Sequence, residues 1–558
     1  MRDCQIFVKF WLIFILMKNK FKVILPYLGV FALLALCYNT AFRYDYVHHD
    51  EVNFFLYGKT FVLHSVRRFV LAMGRFVGAY IATVLNYLVN SLSDLKITRF
   101  LMVVQLSASA CILMHWLKNN FLSKRDAFFF SVLIFTLPSF EIMASFAAGF
   151  NNSTAVWLGL LSGIWAHSMP TSGKFFSRIK TKEFIISASL FIVALMAYQP
   201  SAVIYWVIPA FLILFSSLND FEQTKKKLIN LFAAGFFSLG FYFVILQIFK
   251  KKFFQLVGGY DPYSITTDYF GKISWFFSEI IVNCLNFWNI FPGKYYVFWS
   301  VSFIFVLVLG VFVWRMWQAY KKKQLKQVGI KIALLSCTLF ILLPLSFLPN
   351  LLSTENFAFY RSLSGPATII LGILVWLILC WTKSFKKYQK NVFTFILIGL
   401  MIFGLAKAHR NIFRYIVYPG SIEVDVMKNV LRNNFENYDR VHIVHSDQEK
   451  LKTYYDEFGF LSASMPQNRV GLVSCGYTEI FKDKMNIYGI RFDLNKQEAE
   501  YFFIYKDNPE RGFAFKRIIT SSSKENAVSF GQPTIVIDMT RLYKPGGPLE
   551  YLKLPSKK

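Results

Sequence analysis

The chain has 558 residues, 55% of them hydrophobic and 19% aromatic, with a formal net charge of +29. Only 17% are charged, where a soluble protein has about 25%, and long apolar runs recur through roughly the first 410 positions. This excludes one soluble domain, a disordered chain and a disulfide-stapled secreted module, and it indicates an α-helical polytopic membrane protein with a soluble tail.

Taken from the N-terminus, the run Ile6–Met17 is signal-like in length, but no small-residue cleavage site follows it. Windows of about 20 apolar residues, the length a spanning helix needs, lie near 23–41, 99–117, 127–145, 153–168, 184–199, 202–218, 229–249, 296–315, 329–348, 363–381 and 392–409. These make about eleven spans. Lys18, Lys20 and Lys22 put the N-terminus in the cytoplasm. Alternation then brings five basic loops to that side: Lys118/Lys124/Arg125, Lys174/Arg178/Lys180/Lys182, Lys225–Lys227, Lys321–Lys323 and Lys383/Lys386/Lys387/Lys390. The outer loops Ala147–Asn152, Tyr198–Ser201 and Pro349–Tyr360 carry no Lys or Arg. Lys250–Lys252 breaks the pattern, but it opens a loop of roughly 45 residues, where the charge rule weighs less.

The alternation holds only if Phe69–Asn90 does not span. That stretch is apolar but carries Arg75 inside it, and it reads as a helix lying in the outer interface. The membrane domain (residues 1–409) then has a first outer loop at 42–92, and residues 410–558 lie on the same outer face. The membrane part holds 39 basic and 14 acidic residues, the tail 22 and 18. Basic residues confined to short loops orient a membrane protein against an anionic leaflet, so no nucleic-acid partner is expected.

In the tail, Asp439–His445, Tyr501–Tyr505 and Pro533–Asp538 read as strands and Lys428–Asn437 as helix, giving a small C-terminal extracytoplasmic α/β domain. His442 and His445 invite a metal reading, but positions i and i+3 of a strand point to opposite faces. The seven cysteines show no CxxC and no metal spacing. Gly293–Tyr296 and its aromatic neighbours read as an interface belt. The acids Asp261, Asp268 and Glu279 could line an acceptor path or simply be solvated.

With so few acids in the membrane part, Asp45, Asp50 and Glu51 stand out just beyond the first span, after His48 and His49. A carboxylate pair at the mouth of a membrane cavity suits a general base, alone or with a metal ligand. An ordinary solvated loop explains it as well. Arg67, Arg68 and Arg75 follow, and Arg68 and Arg75 are seven apart, so one helix would show them on one face. Such a pair can cradle a lipid phosphate or snorkel to headgroups.

These residues resemble a family. HHDEVNFF, then MGRFVGAYIATVLNYL, AYQPSAVIYW and FYRSLSGPATIILGIL follow the order seen in polyprenyl-phosphate-sugar-dependent glycosyltransferases of the GT-C class, and within it the serotype-converting O-antigen glucosyltransferases (Gtr type). The resemblance covers Tyr44 to about Leu379. It departs at Asp50-Glu51, where many members show Asp-Asp; the tail carries no recognised motif.

The resemblance implies an inverting hexosyltransferase in the bacterial inner membrane that moves a sugar, glucose by analogy, from a polyprenyl-phosphate donor to an O-antigen acceptor on the periplasmic side. Asp50 would be the base, with Glu51 assisting by orienting the acceptor or holding a divalent cation (Mg or Mn). Arg75, Arg361 and Arg68 would hold the donor phosphate, and Tyr198, Gln199 and His49 the substrate. Arg361 also fits a span-end anchor, and Tyr198-Gln199 a helix stop before Pro200. Proteins that synthesise and flip the donor would be partners. An O-antigen polymerase or ligase would show Arg-rich outer loops, which the longest outer loop lacks. A lipid-linked-glycan transporter would show ionisable residues deep in spans, whereas Arg99, Glu141, Arg315, Lys331 and Lys407 fall near span ends.

Overall fold

The computed structural model describes residues 24–46, 51, 61–89, 92–173, 175–216, 221–254, 265–289, 333–356, 359–382 and 388–434, five strands between 440 and 538, and isolated positions at 306, 310 and 329. Helices α1 (Ile24–Cys37) and α2 (Asn39–Arg43) come first. Next come α3 (Phe61–Ala72), α4 (Phe76–Leu88), α5 (Leu92–Asn120), α6 (Lys124–Ile134), α7 (Pro138–Ser145) and α8 (Phe150–His167). The chain continues through α9 (Phe175–Ile179), α10 (Lys182–Ala202), α11 (Val207–Phe215), α12 (Phe221–Phe254), α13 (Tyr269–Trp275) and α14 (Ile281–Leu285). After these lie α15 (Ala333–Leu345), α16 (Leu348–Leu352), α17 (Ser364–Thr382), α18 (Gln389–Ile412) and α19 (Tyr418–Asn434).

The protein is polytopic and helical. Among the described residues, five helical stretches are long and apolar enough to cross a membrane: Ser93–Asn120, Lys182–Phe215, Phe221–Phe249, Ser364–Thr382 and Gln389–Val426. The bent pair α6–α7, at 65°, makes a sixth if it is one span. Local chemistry sets the helix starts. Ser123 accepts from the backbone N–H of Asp126 at 3.2 Å and Thr181 from that of Phe184 at 3.5 Å, each cap being followed by an acid in the first turn.

The stretch Lys182–Phe215 folds back on itself. Tyr198 has an extended backbone (φ −163°, ψ 105°) inside the helical run, just before Pro200, which disfavours helix at the residues preceding it. Phe191 stacks on Tyr205 at 4.4 Å, each seven positions from Tyr198. Against α8, Ser187 bonds Ser162, while a Cβ on Gly159 would meet the Ala202 carbonyl and one on Gly163 the Ile208 side chain. The segment after Tyr198 therefore runs along α8 in the opposite sense to the segment before it. Glycines at 159 and 163 let these backbones approach closely, as small residues do in membrane interfaces.

Contacts sort the loops into two groups. At one end lie Tyr46 on Ser145, Phe146 beside Arg361, Ser201 on Arg361, and Thr266 on Leu352. At the other lie Tyr27 on His115, Lys227 on His167, Arg178 on Asn230, and Asp126 under Thr394. Among the described residues, the first end holds the turns at 147–152 and 198–201 together with Lys96, Arg99 and Arg361, and the second holds the basic loops around Lys118–Arg125, Arg178–Lys182 and Lys225–Lys227.

The loop between α2 and α5 starts and finishes at the first end. Asp45 pairs with Lys96 at 2.7 Å, and Arg99 donates to the Tyr46 carbonyl at 2.9 Å. Its two helices have 12 and 13 residues, about 18 and 20 Å long, too short for a core of about 30 Å. Phe69–Asn90 is thus not one interfacial helix but two helices broken at Met73–Arg75, where Gly74 takes φ +66°, a conformation glycine reaches without strain.

In the tail the five strands are β1 (Arg440–Val444), β2 (Met485–Asp493), β3 (Glu498–Tyr505), β4 (Phe513–Ser521) and β5 (Thr534–Asp538). They form one sheet in the order β2-β3-β4-β1-β5, with β1 parallel to β4 and β5, and β3 antiparallel to β2 and β4. The 409/410 boundary expected from sequence falls inside a helical run. Helix α18 passes through a π turn at Phe413–Val417 into α19 and ends at Asn434.

Candidate functional site

The first cluster is built on Glu51. Its carboxylate accepts from Arg99 Nε at 3.2 Å, forms an ion pair with Arg99 Nη2, and accepts from the backbone N–H of Ala147. Both side chains are 0% exposed. The Arg99 guanidinium also lies over the Tyr46 ring at 3.7 Å. Burial holds the Tyr46 phenol well above its usual range, Arg99 opposing and Glu51 adding to the shift, so the group stays protonated and donates to the Ser145 carbonyl at 2.7 Å. This network pins Tyr46 and Glu51, after α2, to α5 and to the α7–α8 turn. Arg99, placed from sequence as a span-end charge, is its central donor. The only sequence signal was an arginine at the head of an apolar run.

The second cluster centres on Arg75, at the break before α4. Its Nε donates to Gln199 Oε1 at 2.9 Å, and its guanidinium lies over the Tyr198 ring at 4.3 Å. Gln199 Nε2 donates to the Met73 carbonyl at 2.7 Å and to Tyr242 Oη at 2.6 Å; Tyr242 in turn donates to the Gly74 carbonyl at 3.2 Å. Among the described residues, no hydrogen-bond partner takes the Nη1 and Nη2 donors of Arg75. Asn151 donates to the Gly78 carbonyl at 3.1 Å, fastening α4 to α8. Tyr242 was not read from sequence, since it sits inside an apolar run of α12 with nothing to mark it.

Arg361 lies at the same end. Its guanidinium is 5.8 Å from the Phe146 ring and 5.5 Å from the Phe359 ring, and its carbonyl accepts from Ser201 at 3.5 Å. Lys272 ties the long loop to the segment before Arg361, donating to the Glu355 carbonyl at 2.8 Å and to Asn356 at 2.7 Å. Burial pulls the Lys272 ammonium below the usual lysine range, with Glu355 opposing.

The structure thus brings Arg75, Tyr198 and Gln199 into one contact set, with Arg361 near the Phe146 ring and Glu51 on the Ala147 N–H. Gln199 departs from the expected substrate contact, because its amide is engaged by three protein groups. Glu51 departs from the expected assisting acid, because Arg99 and Ala147 occupy its oxygens. Arg68 is exposed on α3, and the break at Gly74 removes the shared face that its seven-residue spacing to Arg75 implied. His48, His49 and Asp50 lie outside the described residues, as do His445 and Gly293–Tyr296. Among the described residues, no three His, Cys, Asp or Glu side chains group as a metal site.

No family model, curated protein or solved structure matches the chain.

Proposed function

We propose that the chain is an inverting membrane glycosyltransferase of GT-C type that moves a hexose, glucose by the resemblance, from a polyprenyl-phosphate donor to a surface polysaccharide. The observation that carries the reading is Arg75. An arginine is locked by Nε and by its face, with its other donors unclaimed among the described residues, at the bundle end that holds the acidic loop and Arg361. A fixed guanidinium is suited to the charge that appears on a phosphate as it leaves.

In this reading Asp50, the covalent neighbour of Glu51, takes the proton from the acceptor hydroxyl. The oxygen attacks the anomeric carbon from the face opposite the phosphate, the carbon–phosphate-oxygen bond breaks, and polyprenyl phosphate departs with the electron pair. Arg75 and Arg361 meet that charge, while Tyr198, Gln199 and Tyr242 hold Arg75 in place. Glu51 anchors the loop that carries Asp50. The same reading takes the chain as about eleven spans in a bacterial inner membrane, N-terminus inside, with the acid-bearing end and the α/β tail in the periplasm. The gathering of the loops around Lys118–Arg125, Arg178–Lys182 and Lys225–Lys227 at the opposite end supports it.

The test is to incubate purified protein with radiolabelled polyprenyl-phosphate glucose and O-antigen acceptor. Label passing to the acceptor, with release of polyprenyl phosphate, supports transfer. Donor that crosses vesicle membranes without being consumed supports a transporter and overturns it.

A further inference from the structure

The turn between α7 and α8 touches three of the groups at the candidate site. Phe146 lies near Arg361, and the Ala147 N–H is held by Glu51. Asn151, in the first turn of α8, lies beside Arg75: a Cβ on Gly78 would stand 3.2 Å from both Arg75 Cβ and Asn151 Nδ2.

The amide of Asn151 has a fixed orientation. The Gly78 carbonyl can only accept, so the group that faces it at 3.1 Å is the Nδ2 amine. The Oδ1 atom is buried and has no hydrogen-bond partner among the described residues, in a residue 8% exposed. An acceptor buried without a donor carries a desolvation penalty that a donor on a bound molecule would remove. Arg75 offers the complement. Its Nε and its face are taken by Gln199 and Tyr198, while Nη1 and Nη2 have no hydrogen-bond partner among the described residues. The two side chains stand side by side, each held by a different partner and not bonded to the other. A molecule that joins them needs an acceptor for the arginine and a donor for the asparagine. A glycosyl phosphate carries both: the phosphate oxygens accept, and the hydroxyl on the ring carbon next to the anomeric one donates.

We propose, resting on the reading of the chain as a transferase, that Asn151 Oδ1 accepts from the 2-hydroxyl of the donor sugar and so selects a hexose over its 2-deoxy analogue. The 2-hydroxyl is the ring hydroxyl nearest the anomeric phosphate, and Asn151 is the unpaired acceptor beside the phosphate-binding arginine. Hydrogen bonds to this hydroxyl strengthen as the anomeric carbon gains oxocarbenium character. Asn151 is therefore a specificity-determining residue whose contact tightens in the transition state.

The test measures kcat/KM of the purified full-length protein with polyprenyl-phosphate glucose and with its 2-deoxy and 6-deoxy analogues, read as sugar reaching the O-antigen acceptor. The preference for the parent over the 2-deoxy donor should be about tenfold larger in the wild type than in Asn151→Leu, the usual effect of one hydrogen bond to a buried group. Comparing this ratio between proteins cancels the different intrinsic reactivity of the two donors. The preference for the parent over the 6-deoxy donor should be the same in both. Asn151→Asp keeps an oxygen at this position and should retain the 2-hydroxyl preference. A purely structural asparagine would instead lower all three donors alike in Asn151→Leu, and that outcome overturns the proposal. So does a wild type that uses the 2-deoxy donor as well as the 6-deoxy one, a comparison that needs no variant to fold. Transfer of the parent donor without the 2-hydroxyl preference defeats this assignment alone, whereas no transfer of any donor defeats the proposed function with it.

Discussion

Arg99 and Glu51 form an ion pair with no solvent access to either side chain, and it joins the loop after α2 to the head of α5. Removing one partner leaves the other charged and buried. Arg99→Gln or Glu51→Ala should each cost about 3–5 kcal/mol. The double change Arg99→Met, Glu51→Leu should recover much of that loss, because an apolar pair of similar volume carries no desolvation penalty. Thermal unfolding of the four proteins in one detergent compares the broken pair with its apolar replacement. Equal losses in the singles and the double would remove the pairing argument.

Arg75 depends on Gln199 for its orientation and on its own charge for its role. Arg75→Gln should lower donor turnover by about 10²–10³-fold, the usual effect of losing one charge-stabilising donor. Arg75→Lys keeps the charge but not the Nε bond or the ring stacking, and should fall between. Gln199→Leu leaves Arg75 intact but unfastened, so it should raise KM for the donor more than Tyr242→Phe does. Steady-state kinetics with varied donor distinguishes these cases.

Gly78 has no room for a side chain. A Cβ there would lie 2.5 Å from the Ala197 carbonyl, whereas one at Gly240 would meet nothing within 4 Å. Gly78→Ala should push α4 from α10, displace Arg75 from Gln199 and cut activity, while Gly240→Ala should be silent. Matched loss in both, or in neither, would separate α4 from the site.

Lys272 clamps the long loop to residues 355 and 356. Lys272→Ala should expose that loop to protease. The lysine's value is lowered in the docked state, so the undocked loop binds more protons between the docked and free values. Docking should therefore tighten as pH rises through that window and weaken below it. Cleavage rate against pH, wild type beside Lys272→Ala, measures the sign.

Several of these relationships were legible in the sequence, and the reasons differ. The Lys and Arg bias placed Lys118–Arg125, Arg178–Lys182 and Lys225–Lys227 on one side, and contacts bring these three loops to one end of the bundle, because charge at span ends is legible locally. Arg75, Tyr198 and Gln199 were named from local motifs and meet in space. The break at Gly74 was missed, since an apolar run looks the same whether or not one glycine turns left-handed. The roles of Glu51, Arg99 and Tyr242 depend on partners between 43 and 168 positions away, a separation that a local reading of sequence does not reach. The helix through 409/410 was hidden because a polar continuation of an amphipathic helix reads like a loop.

The most direct measurement is the mass of the surface polysaccharide from cells carrying the wild-type chain, Asp50→Asn or Arg75→Gln at matched expression. Transfer requires a mass increment of one hexose per repeat with the wild type and none with either variant. An increment that survives both changes would contradict the site, and no increment with the wild type, at normal chain lengths, would contradict transfer itself.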